Sequence, residues 1–369
     1  MILSFLFVSF LLSCMIARII IPKISLISKR KGLYDIPDER KLHTDAIPRL
    51  GGVSFFPTIT FSMAFTLAIR YLSGFGISSM MAEHIIPEFL FLICGLTLLY
   101  LIGIADDLVG VRYKKKFAIQ LIAASFFPLS GIYINNFYGL FGLYEIPLFL
   151  GIPFTMILVV FITNAINLID GIDGLASSLS SVALIAFGLL FYAQKLSIYS
   201  MLAFAVVGVL LPFFYYNVFG RADNGTKIFM GDTGSLTLGY ILSFLSIKYS
   251  MSNPEITAFT NGAIVIAFAA LIVPMFDVIR VVLLRIRKHK NIFQPDKNHI
   301  HHKFLAMGVS HRKAMLGILG IACLFAVSNI VLIPYLDINV LFIGDILIWT
   351  ILNVVFDVIR DKYQSKKEK

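Results

Sequence analysis

The sequence predicts an all-α polytopic membrane protein of about eleven spans, with its N-terminus outside and its C-terminus in the cytoplasm. Three observations predict it. Of the 369 residues, 58% are hydrophobic and 14% charged, where a soluble domain carries about 25% charged residues, and mean hydropathy is +0.88. Apolar runs near 1–22, 50–70, 87–105, 117–134, 146–166, 175–193, 199–219, 235–250, 259–280, 315–334 and 339–356 are long enough to cross a bilayer. With residues 23–49 placed inside, only Arg70, Lys195 and Lys248 of the 31 Lys and Arg fall outside, as the positive-inside rule requires.

A soluble multidomain architecture is excluded by this pattern. The net charge of +10 reads as topology, with anionic lipid and phosphate substrates as secondary reasons, and calls for no nucleic acid. Residues 1–356 form one membrane domain, since the longest inner loop, 281–314, is too short for a second folded unit. Residues 357–369 make a basic cytoplasmic tail.

In the first run, "LLSC" at 11–14 resembles a lipoprotein cleavage box. No basic segment precedes it and apolar residues continue to Ile21, so a retained span is expected. Cys14, Cys94 and Cys323 lie far apart inside apolar runs and form no zinc or disulfide framework. The outer connections, at 71–86, 135–145, 194–200, 251–258 and 335–339, are short and poor in charge. The unusual chemistry sits in the inner loops 23–52, 105–117, 164–175, 220–236 and 281–314.

Taken in order, "KLHTDAIPRLGG" (41–52) is stiffened by Pro48 and turns at Gly51 and Gly52. Its Arg49 can fork onto a phosphate, although an ordinary basic loop would read the same way. "GIADDLVGVRYKKK" follows a pair of repelling carboxylates, Asp106 and Asp107, with Arg112 and the lysines 114–116. An acidic pair beside a basic cluster suits a site that handles metal and phosphate together; a charged helix end is the plain alternative.

"NAINLIDGIDG" (164–174) places Asn164, Asn167, Asp170 and Asp173 at steps of three. An Asp at the bilayer centre costs roughly 2.5–3.5 kcal/mol, so this group belongs at a membrane surface or in a protein-lined cavity. Gly171 and Gly174 suit a helix that breaks there. In "FMGDTGS" (229–235), Asp232 is either a helix cap or a ligand for a hard cation. In "FQPDKNHIHHKF" (293–304), His299, His301 and His302 are three of seven histidines within four residues. Without further soft ligands they suit phosphate or proton transfer better than zinc. One echo, "FDVIR" at 276–280 and 356–360, pairs Asp with Arg three residues on, and Asp277 is read as structural.

The carboxylates, histidines and basic residues gather at span ends on one side of the membrane, the equipment phosphoryl transfer needs. An ion-coupled transporter would place its carboxylates near mid-span in repeated halves. A membrane aspartyl protease would leave the histidine loop unexplained.

The order DD, NxxNLIDGIDGLA, FMGDTGSL and HIHH, with PRLGG near the N-terminus, resembles the polyprenyl-phosphate N-acetylhexosamine-1-phosphate transferases. That family includes phospho-N-acetylmuramoyl-pentapeptide transferase and the WecA and TagO type enzymes, and the likeness covers roughly residues 40–310. It implies transfer of a sugar 1-phosphate from a UDP-sugar to undecaprenyl phosphate in the inner leaflet of a bacterial plasma membrane. UMP is released, the site faces the cytoplasm, and the reaction opens cell-envelope polysaccharide synthesis. Mg²⁺ is the implied cofactor, with Mn²⁺ as a tolerated substitute, and a homodimer is compatible with the likeness.

By the same resemblance, one of Asp106 and Asp107 is the base or nucleophile, with direct attack by the lipid phosphate preferred over a covalent route. Asn167, Asp170 and Asp232 hold metal. Arg49, Lys116, Asn164 and Asp173 contact substrate, and Phe229 stacks on uracil. His299, His301 and His302 lie over the pyrophosphate. The muramyl-pentapeptide branch resembles a run of three consecutive histidines, whereas "NHIHHK" is closer to enzymes of simple N-acetylhexosamines. UDP-N-acetylglucosamine is therefore the expected donor.

Overall fold

The computed structural model describes residues 2–34, 47–76, 79–254, 260–291 and 298–367. Residues 41–46 and 293–297, which begin two of the motifs above, lie outside this set. The described chain is helical: α1 (Ile2–Lys31), α2 (Phe55–Leu72), α3 (Ser79–Val109), α4 (Tyr113–Leu129), α5 (Leu148–Ile169), α6 (Leu175–Ala193) and α7 (Ser197–Phe214). They are followed by α8 (Gly231–Ser250), α9 (Ala263–Ala269), α10 (Ile272–Arg287), α11 (Ile300–Ala306), α12 (His311–Leu332) and α13 (Ile338–Lys367).

Eight of these are long and apolar enough to cross a membrane, and α9 with α10, bent by 82°, makes a ninth candidate. The expected eleven exceed that number because of α4 and α8. Helix α4 has 17 residues and opens on three lysines. Helix α8 is rich in Gly, Ser and Thr, yet every residue in it except Asp232 is buried. It is a core helix whose solvent is protein. Small residues make that approach close: a Cβ on Gly103 of α3 would collide with Thr233, and one on Gly239 would collide with Thr163 of α5. Its hydroxyls bond back to their own helix, Thr237 to the Thr233 carbonyl at 2.7 Å and Ser243 to that of Gly239 at 2.7 Å. Buried polar groups are thus satisfied without water.

The all-helical expectation also missed a hairpin in the connection between α4 and α5. Strands β1 (Asn136–Leu140) and β2 (Leu143–Glu145) pair antiparallel, Leu140 opposite Leu143, around Phe141 and Gly142. Both turn residues have positive φ. At the same end of the bundle, Lys248 is no surface charge: its Nζ lies 2.5 Å from Glu88, which also accepts the Tyr199 hydroxyl. This buried pair ties α3, α7 and α8 together. The i,i+3 pairing expected in the FDVIR echo is present in both copies, Arg280 to Asp277 at 2.7 Å and Arg360 to Asp357 at 2.9 Å.

Candidate active site

Residues 48–52 lie along the segment that leads into α8. Phe229 donates its N–H to the Pro48 carbonyl (2.8 Å), Gly51 to Phe229 (3.0 Å) and Gly52 to Met230 (2.8 Å). Side chains at two of the glycines are excluded: a Cβ on Gly52 would strike the Gly234 backbone, and one on Gly231 the Arg49 carbonyl and the Asp107 carboxylate. Gly231 also has φ +73°, which favours glycine. PRLGG and FMGDTGS, some 180 residues apart in sequence, are therefore one structural unit.

Asp107, at the C-terminal end of α3, caps α8. It accepts the Asp232 N–H at 2.7 Å, the Thr233 N–H at 3.0 Å and the Thr233 hydroxyl at 2.6 Å. Free N–H groups and a positive dipole at a helix start are what a carboxylate satisfies best. The cap is supplied by another helix, and it turns Asp232 toward its neighbours.

Asp232 meets three elements there. Lys116, near the start of α4, bridges it to Asp106, whose Oδ2 is 3.2 Å from the same ammonium. Asp106 also accepts the Val111 N–H at 2.6 Å, which holds the turn after α3. From α5, Asn167 donates to Asp232 at 3.0 Å and to Ser235 at 2.8 Å. Asn164, one turn earlier, points elsewhere and exchanges hydrogen bonds with Gln120 of α4.

Helix α5 ends at Asp170. Burial pushes this carboxyl up to about 7; the charges of Asp173, Asp232 and Asp107 add to the effect, and Arg49 opposes it. Asp173 is paired with Lys227 at 2.5 Å. The break between α5 and α6 is secured by Asn217, which accepts the Gly174 N–H at 2.6 Å and donates to the Ile228 carbonyl at 2.9 Å. Lys227 and Asn217 were missed in the sequence, whereas Thr233 and Ser235 lie within the FMGDTGS motif. Lys227 could have been found, as the basic residue two places before Phe229.

The histidine helix α11 closes the site. His301 packs on the break after α5 so closely that a Cβ on Gly171 would collide with its imidazole. Burial, followed by His302 and His299, holds His301 well below its ordinary range, at about 3, so it is neutral. Its Nδ1 is buried with no hydrogen-bond partner among the described residues. The His302 ring lies 4.2 Å from that of His301. His299 faces the other way, with its Nδ1 2.8 Å from Asp277.

Asp106, Lys116, Asn167 and Asp232 are thus in direct contact. Asp107 holds Asp232 from behind, Asp170 interacts by charge with Asp232 and, in the opposite sense, with Arg49, and His301 abuts Gly171 beside Asp170. Among the described residues, no group of three or more His, Cys, Asp or Glu forms a ready-made metal cage. Mg²⁺ does not require such a cage, being commonly held by one or two carboxylates together with substrate phosphates. Five carboxylates (106, 107, 170, 173 and 232) face three cations (Arg49, Lys116 and Lys227), a hard-oxygen donor set with negative charge to spare.

The profile of glycosyl transferase family 4 matches residues 89–250, which contain every carboxylate of the cluster. A Bacillus subtilis (strain 168) protein is 34% identical over 88% of this chain and 84% of its own length. It is named "Probable undecaprenyl-phosphate N-acetylglucosaminyl 1-phosphate transferase". Proteins of Yersinia pestis (29%, over 81% of this chain and 77% of their own) and Salmonella typhi (30%, 77% and 72%) are named undecaprenyl-phosphate alpha-N-acetylglucosaminyl 1-phosphate transferases.

Proposed function

The chain belongs to glycosyl transferase family 4, and from that membership we propose that it transfers N-acetylglucosamine 1-phosphate from its UDP derivative to undecaprenyl phosphate, releasing UMP. The observation that carries this reading is the meeting of Asp106, Lys116, Asn167 and Asp232 at the adjoining ends of α3, α4, α5 and α8. The orientation that puts those ends in the cytoplasm follows from the charge asymmetry. Counting α4 and α8 as spans completes eleven, with the N-terminus outside. The site then opens to a soluble nucleotide sugar and to a phosphate at the inner leaflet of the plasma membrane.

In the reaction, an oxygen of the lipid phosphate attacks the sugar-bearing phosphorus of the donor. A new P–O bond forms, the bridging P–O bond breaks, and UMP departs with the bridging oxygen. Lys116 and Arg49 draw the donor's phosphates in and offset charge on their oxygens. Asp106, which shares the Lys116 ammonium with Asp232 and lies at the meeting point of the four helices, takes the proton of a singly ionised lipid phosphate. Asp107 keeps α8 in register. Asp232, Asn167 and Asp170 would hold Mg²⁺, which when bound supplies charge neutralisation at the phosphates. Asp173 and Phe229 receive the nucleoside, and the α11 histidines face the pyrophosphate. Direct attack needs no covalent enzyme intermediate.

Mass spectrometry of the lipid product tests the reading. Undecaprenyl-diphosphate-N-acetylglucosamine should form from UDP-N-acetylglucosamine. A product from the muramyl-pentapeptide donor instead would overturn the donor assignment.

A further inference from the structure

The repeated pentapeptide FDVIR has no part in the reaction as described, yet both copies touch one short segment. In the first copy, on α10, the wholly buried Asp277 accepts the Ile300 N–H at 3.0 Å and lies 2.8 Å from His299 Nδ1. Arg280, three residues on, donates to the Asn298 carbonyl at 2.5 Å. In the second copy, on α13, both oxygens of Asp357 contact the ammonium of Lys303, at 2.9 and 3.0 Å. Asn353, one turn earlier, accepts from the same ammonium at 3.1 Å. Phe356 packs on Phe304 with ring centroids 4.9 Å apart.

We infer that the two FDVIR copies form a paired clamp on the histidine helix, with Asp277 and Asp357 as positioning residues that set His301 and His302 over the donor. This rests on the sugar-phosphate transfer reading.

The physical case is that α11 cannot position itself. It has seven residues, too few for a stable helix in isolation. Its two functional rings must nevertheless be held to within a fraction of an ångström for phosphate chemistry. The clamp fixes both ends. Asp277 gathers the N-terminal end, where N–H groups are unsatisfied within the helix, and its bond to His299 fixes that ring in turn. The His299 and His301 rings lie parallel within 2° at 5.9 Å, so the first ring is a plate against which the second rests. At the other end, Lys303 is buried to 5% exposure and drawn to Asp357, so α11 can neither rotate nor slide without separating a charge pair. The Arg of each copy pairs with its Asp, Arg280 with Asp277 and Arg360 with Asp357, which helps hold each carboxylate in its orientation. One local solution is used twice because the helix has two ends.

The test measures initial rates of UMP release while UDP-N-acetylglucosamine and undecaprenyl phosphate are varied separately, with the thermal unfolding midpoint recorded for each protein. Asp357→Asn should raise the donor KM or lower kcat by tenfold or more, with the acceptor KM and the midpoint unchanged. Asp357→Glu should recover most of the loss. The exchange Lys303→Asp with Asp357→Lys should be more active than either single variant. Asp277→Asn should act in the same direction; should it fail to fold, Asp357, 41% exposed, carries the test alone. Wild-type kinetics in Asp357→Asn would overturn the clamp. So would a loss in which acceptor KM and midpoint move together with donor KM, because that marks a merely structural contact. A wild-type protein that releases no UMP would overturn the transfer reading and the clamp with it. An active wild type beside unaffected variants would overturn the clamp only.

Discussion

Asp107 caps α8 through Thr233, taking both its N–H at 3.0 Å and its hydroxyl at 2.6 Å. Its neighbour Asp106 instead shares an ammonium with Asp232. Adjacent carboxylates thus carry separate duties, and substitution should separate them. Asp107→Ala should lose about 1–2 kcal/mol of stability, the usual cost of an N-cap, and activity with it. Asp106→Asn should keep the unfolding midpoint and lose turnover by about 100-fold or more, as for loss of a general base. Midpoints and kcat of the two variants decide the assignment.

Gly171 is glycine because His301 leaves no room for a Cβ. Gly171→Ala should displace α11 and lower kcat by at least tenfold, while the donor still binds through Asp173 and Phe229. Isothermal titration with UDP beside the rate assay checks both halves.

Asp170 is a carboxyl pushed up to about 7 by burial and by Asp173 and Asp232. The sign follows from an ordinary value near 4: the folded state favours its proton, so the stability from protonated Asp170 is full below pH 4 and is lost as pH rises to about 7, with no further change above. Asp170→Asn should therefore be at least as stable as wild type at pH 8 without Mg²⁺. It should lose most of the stabilisation that Mg²⁺ gives the wild type. Unfolding midpoints with and without the cation, at pH 5 and pH 8, give the comparison.

His301 shows the opposite sign. Its folded value, about 3, lies below the ordinary 6.5, so the neutral ring's contribution is complete above pH 6.5 and is lost as pH falls below it. Wild type should lose stability between pH 7 and pH 5, and His301→Gln should lose less over the same interval. Thermal melts across that range test it.

At the far end of the bundle, Glu88→Gln leaves Lys248 buried without its charge partner. Breaking a buried pair on one side costs about 3–5 kcal/mol, so this variant should unfold well below wild type. Glu88→Leu with Lys248→Met should recover most of the difference.

The candidate site residues were legible in the sequence because polar and charged groups are costly in a membrane and these come in local clusters. Asp106 and Asp107, Asn167 and Asp170, Asp232 and the histidines each announced themselves. What they touch was not legible, because each contact joins distant segments: Asp107 to Thr233, Asp173 to Lys227, His299 to Asp277. Asp277 was read as structural from its i,i+3 arginine, which is present, but that spacing says nothing of a histidine 22 residues on. The span count rested on apolar runs, and it is least distinct at α4, which has 17 residues and lysines in its first turn, and at α8, which is rich in Gly, Ser and Thr. The hairpin at 136–145 escaped because its aromatic residues resemble a membrane interface as much as a strand.

The most direct test of the account is UMP release by purified protein in nanodiscs, wild type beside Asp232→Asn, with UDP-N-acetylglucosamine and Mg²⁺ and with or without undecaprenyl phosphate. The account predicts release that requires the lipid phosphate in the wild type and none in the variant, which should remain folded. Full activity in Asp232→Asn, or release indifferent to the lipid, would contradict it.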